Sequence, residues 1–317
     1  MEQSVSRRGF IGAAIGTGAA AAVGAPAFAR GDDDDDRGGS SGSVPRNRRG
    51  MQLWSMRRLI DERLQTPAEL FRELGRLGYT EIEKFTTWGL TVEQFQRALR
   101  DAGLRCPSGH DGPGFPATGN WEPGYRASLE YSVAIGQKYT GLAWFSGDAA
   151  PYNSEATWHA LAQHLNRAGA IAREYGLQFF YHNHDFEFSN RFNGKPAYDI
   201  LLAETNPDLV KFELDLYWIV YGGESPVHYL AEDPARFPLY HVKDRTWRDR
   251  GPNVQDWEDT GPGSIDFPDI FEAGDGRRLD KHFIIEHDWP RFSHPNDTFA
   301  EYTTAEVSVD YLRNVRW

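Results

Sequence analysis

Residues 179–188 read FFYHNHDFEF. Three aromatic side chains enter as a buried strand would, and His182, His184, Asp185 and Glu187 then arrive within six residues. A strand that is apolar along its length and polar at its C-terminal end belongs in a parallel barrel. There each strand tip delivers side chains into one shared cup. The other reading is a surface turn with incidental histidines. Three later stretches that end the same way weigh against it.

Outward from this stretch, short apolar runs alternate with longer stretches of helical period. Strands are predicted at residues 51–56, 79–85, 104–110, 139–145, 177–184, 209–216, 239–243 and 282–286. Thr66 and Pro67 open a first helix that Gly78 ends, and Thr91 caps a second that Gly103 closes. Ser154 caps a long helix that runs to Tyr175, ahead of Gly176. Further helical stretches fall at 125–138, 198–204, 227–232, 267–273 and 304–314. Eight strand–helix units match an α/β protein built as a single (β/α)8 TIM barrel, a fold of typically about 250 residues. The barrel is expected over residues 51–317, with no second domain.

The first fifty residues are of another kind. Ser6-Arg7-Arg8-Gly9-Phe10-Ile11 resembles a twin-arginine export signal, and an apolar run rich in Ala and Gly follows. Ala27-Phe28-Ala29 fits a small-x-small cleavage site. Residues 1–29 are therefore expected to be a signal peptide read by the twin-arginine export machinery, placing the mature chain in the periplasm or outside the cell. The run is too short and Gly-rich for a stable membrane span. Residues 30–50 contain five consecutive aspartates, then Gly, Ser and Arg, and read as a disordered linker.

A formal net charge of −12 argues against nucleic acid and anionic membrane as partners. Cys106 is the only cysteine, so no intrachain disulfide is available. Ten tryptophans would suit a cup that stacks on sugar rings, although most aromatics fill the core of any large barrel. Homo-oligomerisation is left open.

The strand tips carry the chemistry. Strand three ends at His110-Asp111 and strand five at His182-Asn183-His184. Strand six reads Phe212-Glu213-Leu214-Asp215, strand seven His241-Val242-Lys243-Asp244, and strand eight Ile284-Ile285-Glu286-His287-Asp288. Period-two alternation puts Glu213 with Asp215 on one face, and His241 with Lys243. Asp215, His241 and Glu286 then occupy neighbouring tips, and a strand-five residue completes a mixed oxygen/nitrogen site for one divalent metal. A cation also relieves the cost of gathering carboxylates in a cup.

The set YHNHDFEF, FELDLYW, HVKD, GPGSIDF at residues 261–267, and IIEHD resembles the sugar phosphate isomerase/epimerase group of the xylose isomerase-like TIM-barrel superfamily. The likeness covers roughly residues 51–317. It implies one divalent metal, manganese first and Mg, Co or Zn as alternatives, held by Glu, Asp, His and Glu from strands five to eight. Asp215, His241 and Glu286 match the last three. At the first position, where ketose 3-epimerases place a glutamate, this chain has His182, with Glu187 five residues on; inosose dehydratase relatives also carry a His-rich motif there. The fourth ligand is His182 or Glu187.

The resemblance implies an isomerase, epimerase or lyase acting on a keto or hydroxyketo sugar through an enediolate. Glu286 would be one acid/base, with Glu187, His184 or Lys243 acting on the other face. His110, Trp144, Trp218 and Arg245 are the expected substrate-binding residues. Export argues against a phosphorylated substrate, while Arg245, Arg248 and Arg250 keep that option open. Two other classes compete: a metal-dependent phosphodiester nuclease on an endonuclease IV-like barrel, which would need a basic groove, and an exported sugar-binding protein without activity.

Overall fold

The computed structural model describes residues 42–148, 150–246, 256–274 and 280–317. The expected export signal, the aspartate run, Arg248 and Arg250 lie outside the described residues. Eight parallel strands form one sheet: β1 (Arg49–Gln52), β2 (Glu81–Lys84), β3 (Arg105–Gly109), β4 (Tyr139–Leu142), β5 (Gln178–His182), β6 (Val210–Asp215), β7 (Leu239–Val242) and β8 (His282–Ile285). Their order, β3-β2-β1-β8-β7-β6-β5-β4, is that of a barrel. Its last seam is closed by two backbone bonds, Gly112 N–H to Gly141 O at 2.7 Å and Lys138 N–H to Pro107 O at 2.8 Å. Glycine is needed at that seam, since a Cβ on Gly112 would lie 2.7 Å from the Gly141 backbone.

Outer helices are α1 (Pro67–Leu77), α2 (Val92–Ala102), α3 (Glu122–Ala134), α4 (Glu155–Glu174), α5 (Ala197–Glu204), α6 (Pro226–Glu232), α7 (Phe267–Ala273) and α8 (Ala300–Asn314). The punctuation read from sequence accounts for their ends. Thr66 and Thr91 each form a capping box, with Glu69 and Gln94, and the chain turns left-handed at Gly78 (φ 99°) and Gly103 (φ 68°). Such caps contribute about 1 kcal/mol each. Ser154 precedes α4 as expected but makes no side-chain cap bond.

Two of the boundaries that differ from expectation have a local cause. Strand one ends at Gln52 rather than running to residue 56, because the Gln52 side chain accepts from Trp54 N–H at 3.1 Å and folds residues 53–56 into a 3-10 turn. The linker expected over 30–50 does not extend to residue 50. Ser43 bridges to Arg316, Val44 is buried, and β1 already pairs with β8 at Arg49. Apolar signal there is a single valine among arginines, which composition reads as solvated.

Inside the barrel the side chains stack in layers. Phe180, Leu239 and Ile284 plug the middle, and Gly141 leaves room for the Phe180 ring. Below the plug Glu81 bonds His282 at 2.7 Å and Arg105 at 2.9 Å. Above it the interior turns polar, and this layer carries the site.

Candidate metal centre and its cup

Alternation along the strands aims Gln52, Glu83, His182, Glu213, Asp215 and His241 at the barrel axis, and Glu286 follows β8. All of these side chains are buried. One ligand atom each from His182, Asp215, His241 and Glu286 lies within 4.8 Å of the others, and the same holds for His110, His182, Glu213 and His241. The sequence-expected ligand set is therefore gathered at one point. His241 Nδ1 stands 3.1 Å from Glu286 Oε2 and 3.7 Å from Asp215 Oδ2. Its other nitrogen, Nε2, faces Glu83 Oε1 at 2.8 Å and Glu213 Oε2 at 3.1 Å. His182 Nδ1 likewise meets Glu213 Oε2 at 3.0 Å. A carboxylate behind an imidazole fixes its tautomer and turns the free nitrogen toward a metal.

The donor set fits a divalent cation. Asp215 Oδ2 is buried and has no hydrogen-bond partner, and Glu213 Oε1 and Glu83 Oε2 are in the same condition. Such acceptors are costly unless something positive faces them. The electrostatics report a surplus of negative charge, which a metal ion would neutralise in place of the His241 proton. Burial lowers the basicity of His241, but Glu213, Glu286 and Glu83 outweigh it and raise its pKa well above the ordinary value. Burial opposes the Glu286 charge, yet Lys243 and His241 hold that carboxyl well below the usual range. His182, desolvated and beside His241, is driven down and stays neutral, the form that ligates metal.

His110 sits between two carboxylates, its Nε2 at 3.0 Å from both Glu83 Oε1 and Glu213 Oε2. Burial opposes its charge, but these neighbours push its pKa up to about 10. Lys243 bonds Asp288 Oδ2 at 2.6 Å and Glu286 Oε2 at 3.2 Å. Despite burial, Asp288, Glu286 and Asp215 raise its pKa above that of an ordinary lysine. It stands as a cation beside Glu286.

Above the cluster opens a cavity of about 640 Å³, lined by Trp54, Arg57, Phe85, His110, Trp144, His182, His184, Trp218, Trp257, Glu286, Asp288 and Trp289 among others. His110, Trp144, Trp218 and His184 thus stand where a substrate would. His184 is pushed down to about 3, first by burial and then by Lys243, and its Nδ1 is buried without a partner.

Two expected site residues do not reach the cup. Glu187 caps the turn after β5, where Tyr181 O–H donates to Oε1 at 2.6 Å and His184 N–H to Oε2 at 2.9 Å. Tyr181 points out of the barrel, so Glu187 faces the helix layer and offers no ligand. Arg245 pairs with Asp256 at 3.2 Å and is not among the residues that line the cavity. Sequence reasoning passed over Gln52, Glu83, Arg57 and Asp288. For Glu83 the signal was present: Glu81-Ile82-Glu83 alternates polar and apolar within a strand.

Comparison with known proteins gives relatives of the same barrel. The inosose dehydratase of Geobacillus kaustophilus is 25% identical over 279 residues, 78% of this chain and 86% of that protein. The inosose dehydratase of Geobacillus thermodenitrificans is 28% identical over 151 residues, and the chain spans about half the length of that and the next curated relatives. A sugar phosphate isomerase/epimerase structure from Parabacteroides distasonis superposes with a TM-score of 0.69 at 22% identity, over 84% of this chain and 98% of that one. The IOLI protein, solved with a bound zinc atom, gives a TM-score of 0.59 at 15% identity, over 84% and 98%. At these identities the structural likeness shows the fold. The family described as Xylose isomerase-like TIM barrel matches residues 71–314, and the chain belongs to it.

Proposed function

We propose that this chain is a divalent-metal-dependent enzyme that breaks the C–H bond beside the carbonyl of a keto or hydroxyketo sugar. The observation that carries this is the convergence of His182, Asp215, His241 and Glu286 at the floor of an aromatic-walled cavity, with a buried Asp215 oxygen that makes no hydrogen bond. These four residues would hold the metal, manganese first, with Mg, Co or zinc as alternatives; the relative carrying zinc supports a divalent ion. When bound, such an ion supplies Lewis-acid polarisation of the carbonyl.

The chain's own residues do the rest. Glu286, kept ionised by Lys243 and His241, takes the proton from the carbon next to the carbonyl, and that bonding pair moves toward the carbonyl oxygen to give an enediolate. Lys243, held charged, offsets the developing negative charge. His184 Nδ1 accepts a hydrogen bond from a substrate hydroxyl; its depressed basicity suits it to orient rather than to abstract. Return of that proton by Glu286 to the neighbouring carbon gives an isomer, whereas an epimer takes a second proton donor on the opposite face, for which Lys243 is the candidate in the cup. If the β-carbon bears a hydroxyl, the same electron pair expels it, and the proton held by Glu286 leaves with it as water. The histidine on strand five and the inosose dehydratase relatives support this elimination branch. Export through the twin-arginine route, on the strength of Arg7, Arg8 and Ala27-Phe28-Ala29, is part of the same proposal.

The test is proton exchange. Keto sugars and cyclic polyol ketones are incubated in heavy water with protein loaded separately with each metal. Deuterium at the carbon beside the carbonyl, lost on chelation, is the expected result. Loaded protein that exchanges none of them overturns the reading.

A further inference from the structure

The cup is larger than the reacting centre requires. About 640 Å³ gives room for on the order of twenty water-sized groups at ~30 Å³ each, whereas a hexose has about 12 non-hydrogen atoms. The wall above the ligands is aromatic: Trp54, Phe85, Trp144, Trp218, Trp257 and Trp289. Three of these indoles stay open to solvent, Trp144 and Trp289 each 54% exposed and Trp54 39%. Large open apolar side chains gathered at the rim of a concave site mark a binding surface. The strand order also sets them across the opening. Trp144 follows β4 and Trp289 follows β8, four places apart in a ring of eight.

Most of the positive charge at the cup is spent within it. Among the described residues, two cations at the cup are paired with carboxylates and a third, Arg57, is held by backbone carbonyls. Lys243 is paired with Asp288 and Glu286, and His110 lies between Glu83 and Glu213. Arg57 donates to the carbonyls of Trp54 at 2.6 Å and Asp288 at 3.0 Å while covering the Trp54 ring. A phosphate at the rim would meet the Asp288 carboxylate, and the described cation left to answer it is Arg57, which makes no carboxylate pair.

We infer that the substrate is a two-ring glycoside, its keto ring at the metal ligands and its second ring against the rim indoles Trp144 and Trp289. Only the orientation rests on the function proposed above. The axial C–H groups of a pyranose present a positive edge to the negative face of an indole, and its hydroxyls remain in water. An aromatic second ring would use the same faces.

The experiment is calorimetric titration of the metal-loaded full chain with four unreactive probes: cellobiose, phenyl β-glucoside, glucose and glucose 6-phosphate. Either two-ring probe, or both, should bind at least about tenfold more tightly than glucose, and more tightly than glucose 6-phosphate. Which of the two binds names the second ring as sugar or aromatic. Trp144→Ala and Trp289→Ala should each erase most of that preference while metal content and melting temperature hold. Glucose matching both two-ring probes, glucose 6-phosphate binding tightest, or full preference in both variants overturns the inference. Binding without any C–H exchange of keto sugars would sink the enzymatic reading and leave this one standing. Exchange of free keto monosaccharides with no two-ring binding would do the reverse.

Discussion

Glu286→Gln keeps size and shape and removes one charge. Glu286 Oε2 lies 3.1 Å from His241 Nδ1 and 3.2 Å from Lys243 Nζ. Breaking a buried ion pair can cost about 3–5 kcal/mol when the partner is left alone. Lys243 is not left alone, since Asp288 stays at 2.6 Å and Asp215 at 3.7 Å. The amide oxygen also still accepts a hydrogen bond. The stability loss should therefore be near that of one weakened charged hydrogen bond, about 1.5–3 kcal/mol. The catalytic loss is larger. A general base is worth about 10²–10⁴-fold, and weaker metal binding adds to it. Thermal unfolding, metal content and the rate of C–H exchange into heavy water, followed by NMR on whichever keto sugar the native protein exchanges, separate the two effects. Folded protein with exchange slowed at least about a hundredfold is the expected outcome. Near-native exchange and full metal content would make Glu286 a structural residue and refute the assignment of the base.

Glu187→Gln should flatten the pH dependence of stability without touching metal content. Burial raises the Glu187 pKa from the ordinary 4.5 to about 8. The unfolded chain therefore sheds this proton first, and the native protein loses stability as pH rises from about 4.5 to about 8; at about 1.36 kcal/mol per unit the effect is capped near 5 kcal/mol. Equal pH slopes for native and variant protein in denaturant titrations would show that the group does not titrate this way. Removal of residues 1–41 should leave the melting temperature unchanged, whereas removal of 1–50 should lower it, because Val44 and the β1 residues Arg49 and Gly50 go with it; equal melting temperatures would contradict this. Changing Arg7 and Arg8 together to Lys should leave folded, unprocessed protein in the cytoplasm, and normal processing of that variant would remove the export proposal.

The fold was legible because its signals are local. Period-two polar tips, Thr caps and left-handed glycines sit within a few residues of the elements they end, and they placed all eight strands. The start of β1 was not legible, since a short strand rich in arginine and glycine is told from a linker only by the partners it meets across the barrel. The ligand set could be read because Asp215, His241 and Glu286 close consecutive strands. Glu187 misled for a physical reason: after His182 the chain leaves the strand and enters a helical turn at Phe186–Ser189. The period of two lapses there, and the carboxylate swings to Tyr181. Arg245 failed in the same way, its direction being set by Asp256, eleven residues on.

Metal content of the purified full chain, compared with Asp215→Ala and Glu187→Gln, tests the central claim most directly. The native protein and Glu187→Gln should each carry one divalent ion per chain, and Asp215→Ala should lose most of it, because that variant removes a buried oxygen that makes no hydrogen bond within the chain. Native protein that takes up no divalent ion, or Asp215→Ala that binds it as well as the native chain does, would contradict a metal held at the tips of strands five to eight.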